Sequence, residues 1–251
     1  MLNGQCGLVL GVANDQSIAY AVAKRLKTAG AEVLATCLNE KAMTYVEPVV
    51  TPLSIPVVTC DVEQPGALQS AIQSTLARFG RLDFVVHSIA FAPLEDLHAP
   101  LHASSREGFL RAMDISCHSF ARVAHLAAPH MQSGGTLVTM TYLGSRLAVP
   151  DYGLMGPVKA ALESSVRYLA SELGAQQVRV HAVSPGPIAT RAASGIKHFD
   201  QLMAQVKARV PLKRLVSQDE VAGLVAFLVS DQATGMTGQT LYVDAGEHCV
   251  R

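Results

Sequence analysis

Short runs of β-branched and apolar residues alternate along the chain with longer stretches whose apolar positions recur every three or four residues. Residues 6–11 (CGLVLG) predict a buried strand. Residues 17–29 predict a helix with Ile18, Ala21, Val22 and Leu26 on one stripe, stopped by Gly30. The same reading places strands at 32–37, 56–60, 82–87, 136–141, 178–184 and 240–243, and helices at 66–79, 106–131, 152–173 and 219–230. Strands apolar on both faces, each followed by a helix, predict an α/β fold with one doubly wound parallel sheet and helices on both faces. Such sheets bind ligands outside the carboxyl ends of their strands. Residues 11–18, 38–39, 61–62, 88–91, 142 and 185–190 are therefore expected to face one crevice.

Composition narrows the classes. The chain has 251 residues, 49% hydrophobic and 16% charged, which excludes a disordered polymer and predicts a single domain over residues 1–251. Lys+Arg and Asp+Glu are both 20, so there is no basic excess for gripping nucleic acid. The N-terminal residues do not read as a signal peptide, and no run of about 18 apolar residues offers a membrane span. A cytoplasmic protein with reduced thiols is expected. The five cysteines are scattered, with no CxxC. The nine histidines form no HxH or HExxH group, and Pro100 interrupts the spacing of His98 and His102, so no metal site is expected.

Two motifs carry candidate chemistry. The first strand–helix junction, Gly11-Val12-Ala13-Asn14-Asp15-Gln16-Ser17-Ile18, is not GxGxxG. Gly11 allows close backbone approach, and Ser17 is expected to cap the helix and also to donate its hydroxyl to a phosphate. Alone, this spacing reads as well as an ordinary capped helix. The stronger signal is Tyr142-x9-Tyr152-x6-Lys159. On the predicted helix, Tyr152 and Lys159 share one face about 10 Å apart along the axis. A neighbouring ammonium favours the phenolate of a phenol and helps it act as a donor or acid.

These residues lie in longer motifs: GVANDQSIA at 11–19, CDV at 60–62, HSIAFAP at 87–93, YLG at 142–144, then Tyr152, Met155-Gly156 and Lys159-Ala160, GPI at 186–188 and AASGIK at 192–197. With them the sequence resembles the enoyl-acyl-carrier-protein reductases of bacterial fatty acid synthesis, a divergent branch of the short-chain dehydrogenase/reductase superfamily. The resemblance covers nearly the whole chain and implies a Rossmann-like fold and NADH as cofactor. It implies that Gly11, Ser17 and Ile18 hold the pyrophosphate side. Asp61 and Val62 would meet the adenine, and Ser88 and Ile89 the adenosine ribose and central part. Lys159 would bind the nicotinamide ribose, and Ile188 the carboxamide through its backbone. Tyr152 would meet the thioester carbonyl, with Tyr142 beside the acyl chain. It further implies a substrate lid over about 187–210, walled by Ala189, Ala192, Ala193, Ile196, Phe199, Leu202 and Met203. The partners implied are an enoyl thioester on acyl carrier protein and three further copies of the chain in a homotetramer.

Several positions depart from the family pattern. Ala90 replaces a more usual Gly, Pro157 falls between Tyr152 and Lys159, and His181 stands where Asn is common. Asp200 and Gln201 follow Lys197 where relatives carry further basic residues. Pro48 and Pro52 predict a truncated helix between strands two and three. The second strand ends Leu38-Asn39-Glu40-Lys41, with Lys41 as its only nearby cation, which favours NADH over NADPH. Two alternatives are a reductase of the same branch acting on another enoyl-CoA or carbonyl, and a non-catalytic dinucleotide-binding regulator.

Overall fold

The computed structural model describes residues 2–190 and 193–250. Seven parallel strands form one sheet: β1 (Cys6–Leu10), β2 (Glu32–Cys37), β3 (Val57–Thr59), β4 (Phe84–His87), β5 (Gly135–Met140), β6 (Val178–Pro185) and β7 (Gln239–Val243). Their order is β3-β2-β1-β4-β5-β6-β7. The chain winds outward from β1 to β3, then returns to β4 on the other side of β1, so the switch point lies between β1 and β4. A crevice is expected there, at the strands' carboxyl ends.

Every residue of β1 is buried, because helices cover both faces. On one face pack α1 (Ile18–Thr28), α2 (Glu40–Val50) and α9 (Gln218–Val229), through Val22, Leu26, Val46 and Val225. On the other pack α3 (Ala67–Phe79), α6 (Ser119–Ala127) and α7 (Met155–Leu173), through Ile72, Phe120, Val123, Leu162 and Val166. Three further helices complete the fold: α4 (Leu94–His98), α5 (Arg106–Met113) and α8 (Phe199–Arg209). Among the described residues, no helix is long and apolar enough to cross a membrane.

The sequence pattern placed the strands to within a residue or two, and the differences have physical causes. The stretch 106–131 is interrupted by a π turn at Asp114–His118 between α5 and α6. Apolar spacing does not distinguish one wide turn from a regular one. Helix α2 is not truncated but runs three turns with Pro48 inside, then tightens into a 3-10 turn at Thr51–Leu53. Buried Val46 and Val50 anchor it despite the missing proline N–H. The expected helix from Tyr152 begins only at Met155. Gly153 has φ +49°. Pro157 also lacks an N–H, and its ring would crowd a helical carbonyl at 153. Tyr152 therefore stands three residues before the helix, and Pro157 sits in a first turn where no N–H is needed.

Candidate active site

Gly11 follows β1 with φ +94°, and a Cβ there would come within 2.4 Å of the Ser88 carbonyl. Only glycine allows the β1–α1 turn and the end of β4 to approach this closely. Ser17 caps α1, accepting the Tyr20 N–H at 3.3 Å and the Ala13 N–H at 3.4 Å. Its single hydroxyl proton goes to the Asn14 carbonyl at 2.7 Å. The capping half of the Ser17 expectation is thus seen. Among the described residues, nothing accepts the N–H of Ile18 or Ala19. Two orphan donors at the N-terminus of an 11-residue helix suit a pyrophosphate.

The adenosine-side residues lie at the neighbouring strand ends. Asp61 Oδ1 accepts the Glu63 N–H at 3.0 Å, and Val62 is buried. Ser88 donates its N–H to Leu10 at 3.1 Å. Ile89 is partly buried, and its Cγ1 would lie 3.0 Å from a Cβ at Gly11. Ile188 is buried, and its carbonyl accepts the Thr190 N–H at 2.8 Å. Ala90 is exposed beside them.

Tyr142 and Tyr152 come together just beyond β5, and Lys159 reaches the last residue of that strand. The two tyrosine rings pack edge to face, with centroids 5.0 Å apart and planes at 67°. Lys159, on the first turns of α7, is 4% exposed and donates to the Met140 carbonyl at 2.8 Å. Burial lowers its pKa to about 8. Burial raises both tyrosines above the ordinary phenol value, Tyr152 being pushed further by Tyr142 and Glu163. This corrects the expectation of a phenol eased toward ionisation by Lys159. Both phenols keep their protons, and Tyr152 is a hydrogen-bond donor. Among the described residues, the buried Tyr142 hydroxyl has no hydrogen-bond partner.

Sequence reasoning missed the support beneath this group. His87, at the end of β4, is wholly buried, with Nε2 at 2.7 Å from Ser119 Oγ and Nδ1 at 3.1 Å from Thr139 Oγ1. Ser119 gives its proton to the Ile115 carbonyl at 2.6 Å, so His87 carries its proton on Nε2 and accepts from Thr139. Burial, then Lys159, lowers its pKa to about 3, so it is neutral. The π turn places buried Ser116 against Phe91, accepting its N–H at 2.8 Å and donating to its carbonyl at 3.0 Å. Arg111 lies 4.7 Å from the centre of the Phe91 ring and forks onto Glu63 at 2.8 Å. Polar residues in a helical run gave no signal of these long-range pairings.

A cavity of about 640 Å³ opens between the β1–α1 turn and α8, lined by Asn14, Ala189, Thr190, Ile196, Phe199 and Met203 among others. Four of the expected lid residues thus line it, Ala193 is half-buried, and Ala192 lies outside the described residues. Leu202 packs instead with Val206, Val210 and Ala245. His98 Nε2 donates to the Gly195 carbonyl at 2.8 Å, and Lys197 Nζ to the His98 carbonyl at 3.1 Å. Pro100 separates His98, at the end of α4, from His102 in a 3-10 turn. Among the described residues, no His, Cys, Asp and Glu group is arranged to hold a metal. Buried His181 is held neutral, its pKa lowered to about 4 chiefly by burial and then by Arg179. Four cysteines are buried and Cys249 is exposed, all as free thiols.

Comparison with known proteins gives the same picture. The family model described as enoyl-(acyl carrier protein) reductase matches residues 11–248. The enoyl-[acyl-carrier-protein] reductase [NADH] FabI of Nostoc is 44% identical over 98% of this chain and 96% of its own length. The enzyme named enoyl-[acyl-carrier-protein] reductase [NADPH] FabI of Staphylococcus aureus is 40% identical over 100% of this chain and 99% of its own. The structure of the reductase from Anaplasma phagocytophilum in complex with NAD is similar with a TM-score of 0.94 and 41% identity, covering 98% of this chain and 95% of that one. The chain belongs to the enoyl-(acyl carrier protein) reductase family.

Proposed function

We propose that this chain reduces the trans-2 double bond of enoyl thioesters borne on acyl carrier protein, with NADH as the reductant. The observation that carries the reading is the edge-packed Tyr142–Tyr152 pair just beyond β5, with buried Lys159 bonded to the Met140 carbonyl two residues before Tyr142. The names of the Nostoc and Staphylococcus relatives support the same substrate class.

The nicotinamide dinucleotide, when bound, supplies a hydride to the β-carbon of the enoyl group. The free Ile18 and Ala19 N–H groups take the pyrophosphate, and Gly11 lets the backbone close on it. Asp61 and Val62 face the adenine, Ser88 and Ile89 the adjoining ribose and linker, and Ile188 the carboxamide. Lys159 donates to the nicotinamide ribose and places positive charge near the reacting centre. Negative charge develops on the thioester oxygen, Tyr152 donates its hydroxyl proton in a hydrogen bond to it, and the enolate then collapses with protonation at the α-carbon to give the saturated thioester. A protonated, buried phenol is suited to this, because a fixed donor in a dry site stabilises charge without reorganising. The Tyr142 hydroxyl is the second polar group at the acyl chain. The segment 187–210 acts as the lid, with Ala189, Ile196, Phe199 and Met203 as an apolar wall.

The named relatives differ in coenzyme, so this chain's own β2 end decides. Leu38 and Asn39 offer no cation, and the Asn39 side chain is engaged in capping α2 through the Ala42 N–H at 3.0 Å. Lys41 is exposed on the first turn of α2. NADH is the preferred reductant, and the assembly is a homotetramer, which sedimentation would check. The direct test follows NADH absorbance with crotonyl and longer 2-enoyl thioesters on coenzyme A and on acyl carrier protein. Saturated thioester formed in step with NADH loss supports the reading. NADH loss only with ketones or aldehydes overturns it.

A further inference from the structure

Helix α7 carries two buried charged side chains four residues apart, on one face. Lys159 is 4% and Glu163 is 6% exposed. Both reach the end of β5 and the turn after it. Lys159 bonds the Met140 carbonyl. Glu163 Oε1 accepts from Thr141 Oγ1 at 2.8 Å and from Ser145 Oγ at 2.6 Å. Thr141 and Ser145 bracket Tyr142, and the Ser145 N–H bonds the Tyr142 carbonyl at 2.9 Å. Within the same turn, a Cβ on Gly144 would come within 2.4 Å of the Tyr152 ring. The segment gripped by one carboxylate oxygen therefore touches both tyrosines.

We propose that Glu163 is a positioning residue for the reduction: through the Thr141 and Ser145 hydroxyls it clamps the turn that sets the Tyr142–Tyr152 pair beside Lys159. The inference rests on the reductase reading given above. A purely structural role needs only an acceptor for two hydroxyls, which a neutral amide provides. Among the described residues no ion pair offsets the cost of burying this charge. The charge has a use through Lys159, whose ammonium burial disfavours and Cys117 and Glu163 favour. His87 from β4, which is neutral, also lies within reach of the Lys159 charge, and Tyr152 feels the Glu163 charge. Arg146, next to Ser145, also feels the Glu163 charge.

The test uses Glu163→Gln and the double variant Thr141→Val, Ser145→Ala in the full chain. Three quantities are read: kcat/KM for a 2-enoyl thioester across pH, NADH affinity by fluorescence, and the Lys159 titration by lysine Cε carbon-13 NMR. The double variant releases the turn but keeps the charge. It should lower kcat by about 10- to 100-fold, the scale of a misplaced reacting group, with NADH affinity unchanged. Glu163→Gln keeps an acceptor but removes the charge. Lys159 should then lose its proton about one pH unit earlier, and the alkaline limb of kcat/KM should move down with it. If Glu163→Gln fails to fold, the double variant still decides the clamp. Unchanged kcat in the double variant, or an unmoved Lys159 titration in Glu163→Gln, overturns the proposal. A wild type that consumes no NADH with any enoyl thioester fails the reductase reading instead, and the NMR titration still tests Glu163.

Discussion

Helices α7 and α8 are held in opposite ways. Over 19 residues α7 buries seven, including the charged Lys159 and Glu163, and clamps the end of β5 with both. Over 11 residues α8 buries only Val206. Its other ties include a small apolar cluster, the His98–Gly195 and Lys197–His98 bonds just before it, the Lys213 Nζ bond to the Ala208 carbonyl, and the Arg209–Glu247 pair at its end. The rigid wall carries groups whose placement must be fixed to fractions of an ångström. The lightly anchored wall lines, through Phe199 and Met203, the cavity beside the β1–α1 turn, where opening matters more than precision.

The comparison breaks most readily at Tyr152. Tyr152→Phe removes one donor to the developing oxyanion and should cost about 100- to 1000-fold in kcat. NADH affinity should survive, as fluorescence titration would check. Near-normal turnover would remove Tyr152 from the role of principal donor.

The rigid wall should also cost stability. Lys159 has a folded pKa of about 8 against an ordinary 10.5. Between those values the unfolded chain binds more protons, so this group makes stability rise with pH in that window and lowers it at pH 7. Lys159→Met should abolish turnover yet raise the thermal midpoint at pH 7 by about 2–6 °C, with the gain shrinking as pH rises from about 8 and gone above about 10.5. A lowered midpoint would mean that the Met140 hydrogen bond outweighs the burial cost.

On the α8 side, Glu247 is 2% exposed and its partner Arg209 is partly exposed. Arg209→Ala should destabilise by about 1–2 kcal/mol at pH 7, screened because one partner reaches solvent. Burial raises the Glu247 pKa, so the carboxylate left behind is costly at high pH and is relieved as pH falls. Denaturation at pH 7 and pH 5 should therefore give a smaller loss at pH 5. An equal loss at both would mean that Glu247 is not the group left uncompensated.

Much of this division was legible in the sequence, and the remainder was not for definite reasons. Gly11, Ser17 and Gly30 mark turn and helix ends by local chemistry, and the two-sided apolar runs of β1, β4 and β5 fix a covered parallel sheet. Tyr152 was misplaced onto α7 because seven-residue spacing suits a helix, although Gly153 and Pro157 signalled its late start. Ser116 and His87 act through partners 25 and 32 residues away, which no local pattern records. Glu163 had one visible signal, a carboxylate one turn after Lys159 on an apolar helix face.

Smaller effects sharpen the α8 side. Asp200 is exposed on the first turn of α8. Asp200→Arg should raise the rate on carrier-protein substrates a few-fold at low salt, because rim charges set association, and leave coenzyme A substrates alone. Equal effects on both would place carrier docking elsewhere. The smallest effect concerns Lys41, beyond either wall. Lys41→Ala should lower kcat/KM for NADPH about twofold and leave NADH unchanged, since an exposed cation pairs weakly with a phosphate. A wild type that prefers NADPH, with the preference lost in this variant, would reverse the coenzyme assignment.

The reaction itself is tested most directly by tracing the hydride. The full chain is mixed with crotonyl thioester and NADH deuterated at both nicotinamide C4 positions, and the product is read by mass spectrometry and deuterium NMR. Hydride delivery to the alkene places one deuterium on the β-carbon of a saturated butyryl thioester. Deuterium on C1 of an aldehyde or alcohol, or a recovered crotonyl thioester with NADH consumed, would contradict it.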